Sequence, residues 1–171
     1  MIATHVSSHL VIAADDPIGP VARQLIAELC SELSARYGTP PSPFSPSEAA
    51  TPRSAFLVAR LDGEPVGCGA IRRIDDHTAD VKRMYVAPAG RRRGIARSVL
   101  VELERRAEAF AYRAIRLETG IGQPEAIALY EACGYRRIGP YGSYVGNPSS
   151  VCFEKFLNHR DAARVLEGTG S

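Results

Sequence analysis

The sequence predicts an α/β domain with a mixed sheet, and three observations support that prediction. Short runs rich in β-branched residues recur along the chain, as is typical of strands. Two longer stretches place apolar residues at three- and four-residue steps, as is typical of helices that pack on a sheet. Strand-like segments precede, separate and follow the helical ones, which favours one mixed sheet over a helical bundle.

The chain begins with a predicted strand and helix. The strand is expected at His9–Ala13, where the residues are mostly apolar. The segment Asp15–Pro17 follows, and it predicts an aspartate cap and a proline at the first helical position. Apolar residues then recur at helical spacing as far as Tyr37, and Gly38 stands where the helix would end.

A loop and an antiparallel meander are predicted next. Segment 39–53 contains five prolines, which fix φ and remove backbone donors, so it is expected to be a loop. The runs 55–61 and 65–71 are predicted strands, and the dipeptide Asp62-Gly63 favours a hairpin turn near their junction. Thr78–Val86 is expected to be the third strand of the meander.

Helical spacing returns after the meander, with a helix predicted from Arg93 to Phe110. The remaining segments alternate: a strand at Ala114–Thr119, a short helix at Pro124–Cys133 and a last strand at Val151–Phe156. The 171 residues suffice for one core but leave little room for a second. We therefore expect one domain over 1–157, followed by a polar tail over 158–171.

Composition excludes several classes of protein. A net charge of +2, with 45% hydrophobic and 23% charged residues, is typical of a globular protein and gives no reason to expect nucleic-acid binding. No apolar run approaches the roughly 18 residues of a membrane span, and the first residues contain no basic leader, so a cytoplasmic location is expected. The four cysteines form no CxxC pair, so no disulfide framework and no metal site is predicted.

The junction between the third strand and the long helix is a candidate anion site. The first turn of a helix has unpaired N–H donors and a partial positive charge, and Gly94 lets a ligand approach the backbone. Arg91, Arg92 and Arg93 add cations that bind phosphate oxygens. The same residues are equally compatible with a solvated turn. Neither GxxxxGK[ST] nor GxGxxG occurs, so ATP and NAD are not expected.

Two sequence blocks resemble the GNAT superfamily of N-acetyltransferases. Arg91–Ala96 matches the superfamily's pyrophosphate signature [QR]-x-x-G-x-[GA], with Met84–Val86 in the expected place upstream. Gln123–Tyr135 is similar to N-x-x-A-x-x-L-Y-x-x-x-G-[FY], except that glutamine replaces the asparagine. The resemblance implies a GNAT-like α/β fold, with a mixed, mostly antiparallel central sheet, splayed parallel strands and flanking helices.

The resemblance also implies acetyl-CoA as the co-substrate, without a metal. It implies that the pantetheine arm binds the backbone of three strand residues, Met84, Tyr85 and Val86. It implies that the pyrophosphate binds the loop and the first helical turn, namely Arg91, Arg92, Arg93, Gly94, Ile95, Ala96 and Arg97. Gln123 takes the place of a further cofactor contact.

Two catalytic residues are implied. Tyr130 corresponds to a tyrosine that protonates the departing thiolate, and its alternative is an aromatic residue of the core. Asp80 corresponds to a carboxylate that deprotonates the amine, and its alternative is a surface residue at the start of a strand. Glu118, at the end of the next strand, is an alternative base.

The expected function is direct acetyl transfer to a primary amine of a small-molecule or amino-acid-like acceptor. The alternative is a catalytically silent CoA-binding regulatory module. We expect no nucleic-acid or membrane partner, and a homodimer stays open. Three segments are candidates for acceptor selection: the helix to Tyr37, the proline-rich stretch 38–53 and segment 139–148, which contains Tyr141 and Tyr144. Four cationic residues are expected to cluster around one turn, namely Arg72, Arg73, Lys82 and Arg83. They either bind the carboxylate of an acceptor or only make the surface soluble.

Overall fold

A seven-stranded sheet forms the centre of the molecule, in the order β1-β2-β3-β4-β5-β7-β6. The computed structural model describes residues 8–39, 45 and 50–158. Within them the strands are β1 Leu10–Ala14, β2 Ala55–Leu61, β3 Glu64–Arg73, β4 Thr78–Val86, β5 Ala114–Gly120, β6 Arg136–Ile138 and β7 Ser150–Phe156. The helices are α1 Pro20–Tyr37, α2 Ile95–Ala109 and α3 Pro124–Ala132. Neighbouring strands are antiparallel except β4 and β5, which are parallel.

The predicted fold class is confirmed, and every predicted strand and helix is present. The start of α1 was predicted wrongly. The helix begins at Pro20, with Gly19 as its extended N-cap residue, because a residue before proline is kept out of the helical conformation. Asp16 instead closes a turn by accepting a hydrogen bond from the N–H of Ile18 at 3.0 Å. Strand β6, with three residues, was too short to be predicted.

Two predicted segments lie largely outside the described residues. Of the proline-rich loop 39–53, residues 40–44 and 46–49 are not described, and of the polar tail 158–171 only the first residue is. The described helices pack on both faces of the sheet. Helix α1 covers one face through a cluster that includes Leu25, Phe56 and Cys68, and α2 and α3 cover the other. None of the helices within the described ranges combines the length and apolarity needed to cross a membrane.

A β-bulge in β4 interrupts its pairing with β3. Cys68 pairs with Tyr85, but Ala70 pairs with Lys82, so two residues of β4 stand opposite Gly69. The bulged residue Arg83 has a left-handed backbone (φ 57°), and its carbonyl accepts a 3.3 Å hydrogen bond from the Cys68 thiol. Burial raises the pKa of that thiol to about 12.

Strands β4 and β5 separate just before the bulge. Their parallel pairing extends from Thr78 opposite Ala114 to Val81 opposite Leu117, and it ends there although both strands continue. The bulge therefore coincides with a gap between two adjacent strands of one sheet.

Substitution Gly69→Ala tests how tightly the bulge is packed. A Cβ atom at this position would lie 2.8 Å from the Met84 sulfur and 2.9 Å from both Leu103 Cδ1 and Val99 Cγ1. We expect the free energy of unfolding in urea to fall by about 1–3 kcal/mol, because the overpacked core must shift. Gly139→Ala is the control, since nothing lies within 4 Å of its Cβ position. Equal unfolding free energies for the two variants would contradict this account.

Candidate active site

A cleft of about 840 Å³ opens where β4 and β5 separate. Its walls come from α1, the ends of β4 and β5, and α3. Of the residues predicted for cofactor binding or catalysis, the cleft is lined by Met84, Tyr85, Val86, Arg91, Ala96, Gln123 and Tyr130. The other predicted residues do not line it, namely Asp80, Arg92, Arg93, Gly94, Ile95 and Arg97. Arg97 instead lines a separate depression beside Leu10 and Ile12 of β1.

The edge of β4 that faces the cleft offers backbone groups. Past Val81 no described strand pairs with this edge, although β3 still pairs with the other edge as far as Val86. The Met84 side chain packs over Gly69, and the Tyr85 hydroxyl donates a 3.3 Å hydrogen bond to Glu28 of α1. Because these side chains are turned into the core, the cleft receives mainly the backbone of this segment. An extended ligand can pair with such an edge as another strand would.

The arginine loop joins β4 to α2. Gly94 has a left-handed backbone (φ 73°) and is the N-cap of α2, so the helix begins at Ile95, two residues later than predicted. Gly94 has no side chain that could cap the helix and no other side chain of the described residues caps it, so the first-turn N–H groups are available to a ligand. Arg92, Arg93 and Arg97 are exposed beside that turn.

Arg91 is already engaged on both sides. Its Nε donates a 2.9 Å hydrogen bond to the Val86 carbonyl, and its guanidinium forms an ion pair with Glu32 of α1. Sequence reasoning missed Glu32, because the pair joins residues 59 positions apart and no local pattern marks it.

The C-terminal end of α1 also reaches the other wall. Arg36 pairs with Glu125 at the start of α3, and this hydrogen-bonded pair lowers the pKa of the Glu125 carboxyl. The Tyr37 hydroxyl lies against Gly120 and Gly122, where a Cβ atom would collide with it. Helix α1 therefore joins the arginine loop to the end of β5.

Tyr130 of α3 is buried, with 5% of its surface exposed, and it lines the cleft. Its ring contacts those of Tyr135 and Phe153, each with 5.9 Å between centroids. Burial, and secondarily the charge of Glu118, raises the pKa of the Tyr130 hydroxyl above its usual value. The hydroxyl therefore stays protonated at neutral pH.

Asp80 lies beneath the cleft rather than in its wall. It is 1% exposed, and its Oδ1 accepts a 2.9 Å hydrogen bond from the Tyr141 hydroxyl. Its Oδ2 accepts one from Arg72 Nε at 3.2 Å and lies 3.2 Å from Lys82 Nζ. Burial, followed by the charge of Asp80, raises the pKa of Tyr141. The carboxylate is thus surrounded by three donors.

Glu118 lies in the cleft wall, immediately after the last residue of β5 that pairs with β4. Its Oε1 accepts a 2.7 Å hydrogen bond from Ser150 Oγ. Tyr144 also lines the cleft, and its hydroxyl accepts a hydrogen bond from Lys82. No group of three or more potential metal-ligating side chains occurs in the part of the chain that the structure describes.

Comparisons with known proteins agree with this geometry. The acetyltransferase (GNAT) family model matches residues 22–135. A protein of Azospirillum brasilense named IAA acetyltransferase is 39% identical over 152 residues, which span 87% of this chain and 99% of that protein. A solved structure from Klebsiella pneumoniae, assigned to the acyl-CoA N-acyltransferases, is 32% identical with a TM-score of 0.75, over 87% of this chain and 98% of that one.

A more distant structure shares the fold. It is a GNAT family acetyltransferase from Elizabethkingia anophelis that was solved with acetyl-CoA bound, at 18% identity and a TM-score of 0.63, over 86% of this chain and 98% of that one. The match of the family model over most of the chain is the decisive finding. Together with the splayed strands, it shows that the chain belongs to the acetyltransferase (GNAT) family and is an N-acetyltransferase.

Proposed function

We propose that this enzyme transfers an acetyl group from acetyl-CoA directly to a primary amine of a small-molecule or amino-acid-like acceptor. The observation that supports this most is the unpaired edge of β4, which lies between the arginine loop and the Tyr130 hydroxyl in one cleft. Such a cleft suits a long cofactor with a charged end, an amide-containing arm and a reactive end.

The residues present fit acetyl-CoA. Backbone groups of Met84, Tyr85 and Val86 would pair with the amides of the pantetheine arm. The pyrophosphate would bind the first-turn N–H groups of α2 and the arginines of the loop, namely Arg91, Arg92, Arg93 and Arg97, with Gly94, Ile95 and Ala96 supplying backbone. Gln123, the N-cap residue of α3, would meet the cofactor from the opposite wall. When bound, acetyl-CoA supplies a thioester carbonyl that an amine can attack.

Proton transfers at two sites complete the reaction. As the N–C bond forms and the C–S bond breaks, the amine loses a proton to a base and the departing thiolate gains one from an acid. The Tyr130 hydroxyl is the proposed acid, because the residue lines the cleft and a phenol carries its proton at neutral pH.

Two carboxylates are candidates for the base. Asp80 is the residue implied by the resemblance to the family. The contacts favour Glu118, because Glu118 lines the cleft whereas Asp80 is enclosed by Arg72, Lys82 and Tyr141. We propose that Glu118 accepts the proton and that Asp80 positions the cations around it.

We propose a cytoplasmic enzyme with one domain over 1–157 and a tail over 158–171. We expect it to act without a nucleic-acid, membrane or metal partner. A homodimer stays compatible with the proposal.

Tyr130→Phe tests the acid. We expect kcat to fall about 100-fold with an unchanged Kd for CoA, because only proton donation is lost. The raised pKa of Tyr130 also predicts no alkaline loss of the wild-type kcat from this group up to about pH 10, because the protonated form persists. Tyr135→Phe is the control and should keep wild-type turnover, whereas a silent CoA-binding module would bind CoA and show no thiol release in any variant.

Glu118→Gln and Asp80→Asn separate the two candidate bases. We expect Glu118→Gln to lower kcat/KM about 100-fold at pH 7, and the loss to shrink at alkaline pH because solution then supplies neutral amine. Asp80→Asn should instead lower the free energy of unfolding by about 1–3 kcal/mol, because the partly buried Lys82 and Arg72 lose a charged hydrogen-bond partner. If the pH-dependent loss of kcat/KM occurs only in Asp80→Asn, then Asp80 is the base and Glu118 is not.

Arg91→Glu and Gly94→Glu test the pyrophosphate site. We expect each to weaken CoA binding by about tenfold to a hundredfold in titration calorimetry, because a charge-assisted contact is replaced by repulsion. Arg105→Glu is the matched control, since this exposed arginine lies ten residues after the start of α2, pairs with Glu102 and does not line the cleft. Comparable dissociation constants for all three variants would defeat the loop assignment.

A further inference from the structure

The last turn of α1 contacts the turn 121–123 that joins β5 to α3. Arg36 and Tyr37 are the last two residues of α1, which Gly38 ends with a left-handed backbone (φ 71°). Arg36 Nη1 donates a 3.3 Å hydrogen bond to the Gly122 carbonyl. The same guanidinium forms an ion pair with Glu125 in the first turn of α3. One side chain therefore joins two helices through residues that are 89 positions apart in the sequence.

Tyr37 adds an aromatic contact to the same turn. A Cβ atom on Gly122 would lie 3.0 Å from Cε1 of the Tyr37 ring, and one on Gly120 would lie 2.7 Å from its Cζ. Glycine at both positions lets the ring lie this close to the backbone of the turn. The end of α1 thus holds the turn through a hydrogen bond, an ion pair and a ring contact.

The first turn of α3 has little apolar burial to hold it in place. Of the nine residues of α3, all of which lie in the described part of the chain, Tyr130 alone is buried. The first two residues of α3 are exposed, and the N-cap residue Gln123 makes no capping hydrogen bond through its side chain. The other half of the helix is held by packing, because the Tyr130 ring contacts two further aromatic rings. The contacts of Arg36 therefore hold the half that packing does not.

The position of the Tyr130 side chain depends on how α3 lies. Tyr130 follows Glu125 by five residues, which is about 7.5 Å along the helix axis. Because a short helix moves as one unit, a shift at Glu125 is carried over to Tyr130. A proton donor must lie within hydrogen-bond reach of the group that it protonates, and a misplacement of about 1 Å can slow a reaction about 100-fold.

The guanidinium of Arg36 is oriented from two sides. While Nη1 contacts the turn and Glu125, Nη2 lies 3.7 Å from Glu32 on the preceding turn of α1. The hydrogen bond from Arg36 lowers the pKa of the Glu125 carboxyl, so the pair is charged at neutral pH. Arg36 is 31% exposed, and a single ion pair at such exposure contributes little to stability. The consequence of these contacts is therefore the placement of α3 more than the stability of the fold.

We propose that Arg36 is a positioning residue, which fixes the N-terminal end of α3 and through it the Tyr130 side chain. This inference rests on the proposed function, in which Tyr130 is the acid. Arg36 does not line the cleft, so it acts through α3 and not on the reacting atoms.

A double-mutant cycle tests whether Arg36 acts through Tyr130. Turnover is measured at saturating acetyl-CoA, with the primary amine that releases thiol fastest in a panel of amines and amino acids. We expect Arg36→Gln to lower kcat about tenfold in the wild type and less than about twofold in Tyr130→Phe, because the acid that Arg36 positions is then absent.

Two further variants complete the cycle. Arg36→Lys keeps a cation for Glu125 and should recover kcat to within about threefold of the wild type. Arg23→Gln is the matched control, because Arg23 is an exposed arginine of the same helix that does not line the cleft. This variant should keep the wild-type kcat.

Hydrogen exchange separates this inference from the proposed function, because it needs no turnover. We expect the amides of α3 to exchange about tenfold faster in Arg36→Gln but not in Arg23→Gln, with those of α2 unchanged in both variants. If acetyl transfer is undetectable or Tyr130→Phe leaves kcat unchanged, that exchange pattern still supports the placement of α3 by Arg36 and contradicts only the proposed function. Unchanged exchange in α3, equally faster exchange in α2 and α3, or additive losses of kcat in the cycle would overturn the inference.

Discussion

The one-residue bulge in β4 is the constraint on which the rest of the site depends. Two residues of β4 stand opposite Gly69, and Arg83 adopts a left-handed backbone at that point. The bulge lies just past Val81, the last residue of β4 that pairs with β5, so the two strands separate at the point where β4 bends. The bulge therefore accompanies both the opening of the cleft and the unpaired backbone edge inside it. Gly69 is suited to this place because only a residue without a side chain leaves space for the Met84 sulfur.

Most of the fold was predictable from the sequence, because its signals are local. The hairpin dipeptide Asp62-Gly63 and the long apolar stripe of α2 each mark an element within a few residues. The arginine loop was predictable for the same reason, since a strand, a glycine and a helix start follow one another along the chain. The bulge was not, because an arginine with a positive φ has no distinguishing mark in the sequence. The start of α1 was missed because two prolines compete there and the second one prevails.

The arrangement of charges in the cleft could not be predicted, because it depends on contacts between distant segments. Asp80 and Tyr141 are 61 residues apart, and Glu32 and Arg91 are 59 apart. The sequence showed a group of cations near one hairpin, but only the fold separates Arg73, which pairs with Asp76, from Arg72, which reaches Asp80. Strand alternation explains that separation, since adjacent residues of β3 project to opposite faces.

Arg91 already forms an ion pair with Glu32, so a cofactor that binds Arg91 must replace this carboxylate. A pyrophosphate that binds Arg91 displaces a protein carboxylate that is already there, so one anionic partner replaces another at this guanidinium. The association therefore releases fewer dissolved counter-ions than binding to an uncompensated arginine would. On the proposed assignment of Arg91 to the pyrophosphate, this contact would make the affinity for the cofactor less sensitive to ionic strength than the number of arginines in the loop suggests.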